Sequence, residues 1–73
     1  MNKIHLIGYG MVNAKPAKEV KKGDTRVWNY GVTSIVESIV KETPTQIVIS
    51  ERYDSGKSYN RRIRKERLVG VML

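Results

Sequence analysis

The sequence predicts an all-β fold, and three observations carry that expectation. Val and Ile dominate the aliphatic residues, with Thr and Tyr beside them, and branched or aromatic side chains suit a pleated surface better than a helix. Short apolar runs are separated by turn-forming groups such as Gly23-Asp24 and Asp54-Ser55-Gly56. The chain has only 73 residues, with no cysteine and a single histidine, His5. It therefore forms one domain, residues 1–73, with a thin core and neither a disulfide framework nor a Cys/His zinc site.

The first run is Lys3 to Val12, an N-terminal strand in which Gly8 and Gly10 permit a bend or a close backbone contact. Asn13 to Gly23 is a connector. In it Pro16 opens a short turn of helix, and Gly23-Asp24 closes the Lys-rich part with residues that a tight turn prefers. Residues 1–22 thus precede a core of residues 23–73, which opens with a strand from Thr25 to Tyr30.

Two readings of Val32 to Glu42 are open. Val32, Ile35, Val36, Ile39 and Val40 fit helical spacing, and Ser34-x-x-Glu37 has the form of a capping box. The other reading is a long strand with a bulge, favoured by the β-branched side chains and by a length short for a helix.

For Thr45 to Tyr53 and Lys57 to Lys65 the register itself is legible. A type I turn at Asp54-Ser55-Gly56, with Gly56 left-handed, pairs Tyr53 with Lys57 and Ile47 with Ile63. One face then carries Ile47, Ile49, Tyr53, Tyr59 and Ile63. The other carries Ser50, Arg52, Ser58, Asn60, Arg62 and Arg64. A two-residue turn would set Ile47 and Ile49 opposite arginines on the same face, which a thin core does not tolerate. Lys65-Glu66-Arg67 reads as a brief turn before a last strand, Leu68 to Met72.

From Lys22 onward, the pattern Lys22-Gly23-Asp24, Val27-Trp28, Gly31, a long strand, a hairpin and Arg67-Leu68-Val69 resembles the small SH3-like barrels of the Tudor and KOW kind. The Gly-Asp, Val-Trp-Asn-Tyr-Gly opening and the basic penultimate strand also resemble short bacterial and phage proteins. The resemblance covers about fifty residues, Lys22 to Leu73. It implies a partly open barrel of about five strands, with Lys3 to Val12 as an extra N-terminal strand, and a repertoire that includes RNA, DNA and peptide binding.

The formal net charge of +7, from fourteen basic and seven acidic residues, makes a field that attracts polyanions. Lys57, Arg61, Arg62, Arg64, Lys65 and Arg67 lie within eleven residues against one acid, Glu66. Phosphates answer such a field, and the planar guanidinium fork suits them. A row of cations also serves as a solvated strand face that discourages edge-to-edge pairing.

The expected contacts are Arg52, Arg62 and Arg64 to phosphates, Lys57 and Arg61 at the rim, and Trp28 or Tyr30 stacking on a base. As the only tryptophan in a chain without phenylalanine, Trp28 is also wanted for core bulk. Tyr30 and Tyr9 are the better exposed aromatics.

Ile4 to Val12 has the look of a dinucleotide-binding glycine turn. Asn13 stands where a third glycine belongs, however, and Ala14-Lys15-Pro16-Ala17 does not begin an amphipathic helix. His5 has no catalytic partner in a recognisable arrangement, and Glu37, Glu42, Glu51, Asp54 and Glu66 read as solvated or ion-paired surface groups.

The expectation is a cytoplasmic, noncatalytic nucleic-acid-binding protein with no cofactor, metal or membrane partner. The alternative is a protein-interaction module, an adaptor or inhibitor docking on an acidic partner with Val48 near the contact centre. Homo-oligomerisation through Lys3 to Val12 or Val69 to Leu73 is a further possibility.

Overall fold

The computed structural model describes residues 2–72. The strands are β1 (Asn2–Leu6), β2 (Gly10–Pro16), β3 (Thr25–Val27), β4 (Thr33–Glu42), β5 (Gln46–Tyr53), β6 (Ser58–Arg64) and β7 (Leu68–Met72). Two single 3-10 turns, Ala17–Glu19 and Asn29–Gly31, are the only helical segments among the described residues. None is long and apolar enough to cross a membrane.

All seven strands join one antiparallel sheet in the order β1-β2-β7-β3-β4-β5-β6. The all-β expectation is met, with seven strands rather than five and an extra one. The sheet is open, since its end strands β1 and β6 do not pair with each other. It is nonetheless curled. Ile47, Ile49 and Ile63 from β5 and β6 share one core with Val69 and Val71 of β7, with Val36 of β4, and with Ala17 and Val20 of the connector. The connector closes over this core: Ala17 N–H donates to Arg67 O at 2.8 Å and Lys18 N–H to Lys65 O at 3.0 Å.

The N-terminal segment departs from expectation. Lys3 to Val12 is not one strand but a hairpin, with Leu6 paired to Gly10. Tyr9 N–H donates to Leu6 O at 3.2 Å, and Gly8 takes φ +69°, the left-handed region where a Cβ is strained. A Cβ at Gly8 would also meet the Tyr30 ring at 2.3 Å, so the turn and its packing both need glycine. Beyond Gly10 the strand runs through Asn13 to Pro16, residues read as connector, because Ala14, Lys15 and Pro16 find partners in Gly70, Val69 and Leu68. Thr25 to Tyr30 is likewise shorter than expected, since Asn29–Gly31 turns away with Tyr30 at φ 64°.

Val32 to Glu42 is the strand with a bulge, and it contains two irregularities, between Val36 and Ser38 and between Ile39 and Lys41. A bulge adds a residue and reverses the alternation. Val36 and Ile39, opposite Glu51 and Ile49, therefore share one side of the sheet three residues apart, Val36 buried in the core and Ile39 exposed beyond it. The helix-like spacing of the sequence is the imprint of the bulges.

The hairpin register is as read: Ile47 pairs with Ile63, Tyr53 N–H donates to Lys57 O at 3.0 Å, and Gly56 takes φ +86°.

Strand β7 serves two neighbours in succession, Leu68 to Gly70 along β2, then Val71 and Met72 along β3. At the changeover a Cβ on Gly70 would lie 2.9 Å from Val27 O and 3.1 Å from Val12 Cγ2. Gly70→Ala should therefore destabilise the domain by about 1–3 kcal/mol, read as a lower denaturant midpoint at constant slope.

Asp24 anchors the connector. Its carboxylate accepts from Lys21 N–H at 2.9 Å and pairs with Lys15 Nζ at 2.7 Å, and its carbonyl accepts from Val36 N–H. Partial burial pushes this carboxyl up, but the hydrogen bonds and charges of Lys15 and Lys21 outweigh it and hold it below its ordinary 3.8. The stabilisation is thus complete above the unfolded value and is lost as pH falls below 3.8 through the lower folded one. Asp24→Asn should cost about 1 kcal/mol at pH 7, and the gap to wild type should close in acid denaturation curves.

Candidate nucleic-acid interface

Alternation along β5 and β6 divides the expected residues between two sides of the sheet. Opposite pairs Gln46–Arg64, Val48–Arg62, Ser50–Asn60 and Arg52–Ser58 share the outer face, and Ile35 and Lys41 of β4 lie across from Arg52 and Val48. Arg52, Arg62 and Arg64 therefore stand together, exposed, as the sequence predicts. Among the described residues, Arg62, Arg64 and Lys41 have no carboxylate within ion-pair distance, whereas Arg52 Nη1 is 3.9 Å from Glu37. Glu37, carried by the first bulge, accepts from Ser58 Oγ at 2.6 Å and Ser50 Oγ at 3.3 Å. The face is a polar row of cations around one acid.

Arg61 belongs to the opposite side. Its Nε is 3.3 Å from Glu51 Oε2, and its Nη2 donates to Tyr53 Oη at 2.9 Å. Glu51, read as a surface acid, is fully buried at 0 % exposure, with Arg26 at 6 %. Arg26 Nη1 donates to Glu51 Oε1. One carboxylate thus holds two guanidinium groups, and both lie over the Trp28 ring, Arg26 Cζ at 4.2 Å and Arg61 Cζ at 4.5 Å from its centroid. The arrangement joins ion pairing to cation–π attraction.

Trp28 is half-buried, with its indole N–H donated to Ser34 Oγ at 2.9 Å. Tyr53 leans toward it with ring centroids 6.3 Å apart, and Tyr59 meets Tyr53 edge-on at 5.7 Å. Tyr59, assigned to the core side by register, is exposed there, because the sheet is uncovered at that end. Burial lowers the Arg26 guanidinium from its ordinary value against the pull of Glu51; it keeps its charge at neutral pH.

Lys57 sits at the entrance to β6, exposed, its carbonyl bonded to Tyr53 N–H. Tyr30 is the most exposed large hydrophobic among the described residues at 73 %, and Tyr9 is also exposed, in line with the sequence reading. Tyr30 N–H donates to Ile7 O at 2.7 Å, so its ring belongs to the β1–β2 hairpin and is not joined to the outer arginines.

Sequence reasoning missed Arg26, Glu51 and Lys41. The signal for the first two lay in the register: Glu51 and Arg61 fall on the isoleucine side of the hairpin, and Arg26 and Trp28 are two residues apart on one strand face. A carboxylate and two guanidiniums on a core-facing side must find each other.

No family model, curated protein or solved structure matches the chain.

Removing the carboxylate leaves two guanidinium groups, one of them buried, without their counter-ion, a loss of about 3–5 kcal/mol. Glu51→Ala should therefore unfold the domain or bring it to the edge of unfolding. Replacing both partners by apolar residues, Arg26→Met with Glu51→Leu, should recover most of the loss in chemical denaturation.

Proposed function

We propose that the chain is a noncatalytic nucleic-acid-binding domain that holds phosphates on the outer face of β5 and β6. The observation that carries this reading is the row formed by Arg62, Arg64 and Lys41, exposed and without carboxylate partners among the described residues, beside the weakly tethered Arg52. Side chains two apart on a strand stand roughly 6.8 Å from each other on one face, so Arg62 and Arg64 address successive positions along a backbone. Ser50, Ser58 and Asn60 between them offer neutral hydrogen-bond groups.

Glu37 restrains the field at one end of the row, which places the stronger attraction at the Arg62–Arg64 end. The reading agrees with the resemblance of Lys22 to Leu73 to small SH3-like barrels, whose repertoire includes RNA and DNA. Phosphate contacts position a strand without reading bases, so modest sequence selectivity is expected.

The test is a titration of labelled single-stranded oligonucleotide across a range of salt. Each phosphate contact contributes about −0.7 to the slope of log K against log salt for single strands. Arg62→Ala with Arg64→Ala should flatten the slope by ~1.4 and weaken binding about tenfold or more at low salt. Affinity that ignores both salt and these substitutions would remove the proposal.

A second reading, a protein-interaction module, is favoured by a separate observation. Ile7, Tyr9, Tyr30 and Val32 are all exposed around the tip of the β1–β2 hairpin, and exposed apolar groups gathered in one place mark contact surfaces. Val48, the contact centre expected from the sequence, is half-buried beside Arg62, which moves the centre of this reading to the hairpin tip. Partner capture that survives nuclease treatment and is lost in Tyr30→Ala would select it.

A further inference from the structure

Under Trp28, on the opposite side of the sheet from the outer arginine row, lies a cavity of about 170 Å³ lined by Arg26, Trp28, Arg61, Arg62, Ile63 and Arg67. The guanidinium groups of Arg26 and Arg61 lie over its Trp28 wall, and Arg62 and Arg67 complete the basic lining. The carboxylate in contact with them is Glu51, shared by Arg26 and Arg61, while Arg62 and Arg67 have no ion-pair partner among the described residues. Two guanidinium groups share one carboxylate, and the other two arginines of the lining add positive charge that no carboxylate among the described residues pairs. Arg26 adds an independent sign: it is buried, and its Nε–H has no hydrogen-bond acceptor, while across the ion pair Glu51 Oε2 is a buried acceptor without a hydrogen-bond donor, held only by the nearby Arg61 charge. A buried donor without an acceptor costs free energy unless something supplies one.

From this we infer that the cavity is an oxyanion site that takes a phosphate group. A phosphate carries up to two negative charges and several acceptor oxygens, where a carboxylate offers one charge and two oxygens. It therefore answers both the charge excess and the fork geometry of several arginines. The cavity holds several times the roughly 30 Å³ of a water molecule, enough for a phosphate and the first atoms attached to it. Beyond it lies a second hollow of about 350 Å³ that shares Arg26, Trp28 and Arg67. The indole then forms a wall against which a sugar or base attached to the phosphate packs. Arg62, on the end strand β6, belongs to the outer row by alternation and also lines this cavity. The site shares Arg62 with the outer row but does not rest on that reading, because Arg26, Arg61 and Arg67 lie outside the row and the site needs one phosphate group and no extended strand.

Trp28 is the only tryptophan and touches two of the lining arginines, so its fluorescence reports occupancy directly. The full chain is titrated with inorganic phosphate and with ribose 5-phosphate, each against sodium chloride at matched ionic strength. The expected result is a saturable change in Trp28 emission with both phosphates and none with chloride. Arg67→Ala should weaken the phosphate response at least tenfold, Arg67→Lys should restore part of it, and the charge-matched control Lys22→Ala should leave it in place. Arg67 has no side-chain hydrogen bond or ion pair among the described residues, and far-UV circular dichroism checks that its truncation leaves the fold in place.

A response identical for phosphate and chloride, or equal loss in Arg67→Ala and Lys22→Ala, overturns the inference and leaves the arginines as packing around the indole. Two further arms identify the source of the phosphate. Preference for a 5′-phosphorylated oligonucleotide over its 5′-hydroxyl form, erased by Arg67→Ala, assigns the site to a strand end. A response to ribose 5-phosphate without that preference assigns it to a free sugar phosphate. Salt-dependent binding of the 5′-hydroxyl oligonucleotide that persists in Arg67→Ala and is weakened in Arg64→Ala reports on the outer face, so either reading can fail without the other.

Discussion

The buried Glu51 carboxylate and the two guanidinium groups it holds are the constraint on which the rest of the molecule depends. Arg26 comes from β3, Glu51 from β5 and Arg61 from β6, and β4 separates β3 from β5 in the sheet. The ion pair therefore spans a strand it does not involve, which requires the sheet to be curved there. Trp28 lies against both guanidinium groups and anchors its own N–H on Ser34 of β4. Taking such charges out of water is costly, and close geometry with further hydrogen bonds is what offsets it. The arrangement specifies one curvature of the sheet more than it adds stability.

The apolar core lies at the other end of the same concave side. Its residues are small or β-branched, Ala17, Val20, Val36, Val69 and Val71 with three isoleucines, as expected where no phenylalanine is present to fill volume. A domain of this length gains only about 3–5 kcal/mol from such a core. Close approach of strands replaces bulk: Gly70 lets β7 pass against Val27 and Val12, and the connector seals the open end through main-chain bonds to Lys65 and Arg67. The open sheet keeps two free edges. The long β6 edge carries arginines, which oppose pairing with another strand.

The cations fall into two sets with different physics. Those on the outer face of β5 and β6 are solvated and weakly tethered, suited to a polyanion that trades its counterions for them. Those around Trp28 are partly desolvated and ordered by Glu51 and the indole, suited to one well-defined group. Arg61 and Arg62, adjacent in sequence, point to opposite faces of the strand, and Arg62, on the end strand, lines the rim of the Trp28 cavity as well as the outer row.

What the sequence determined by itself was everything governed by local chemistry. That includes the β class, the Asp54-Ser55-Gly56 turn with its register, the brief turns at Ala17 and at Lys65, and the common face of Arg52, Arg62 and Arg64. Each follows from branching, turn preference or the two-residue period. What only the tertiary structure decided depends on residues far apart in the chain. The division of Lys3 to Val12 into a hairpin rests on the Tyr30 ring over Gly8, and the strand character of Ala14 to Pro16 on β7 arriving beside it. The burial of Glu51 and Arg26 required β3 and β5 to curve toward each other across β4. A register assigns a side chain to a face; only the curvature of the whole sheet decides whether that face meets water, a counter-charge or an indole.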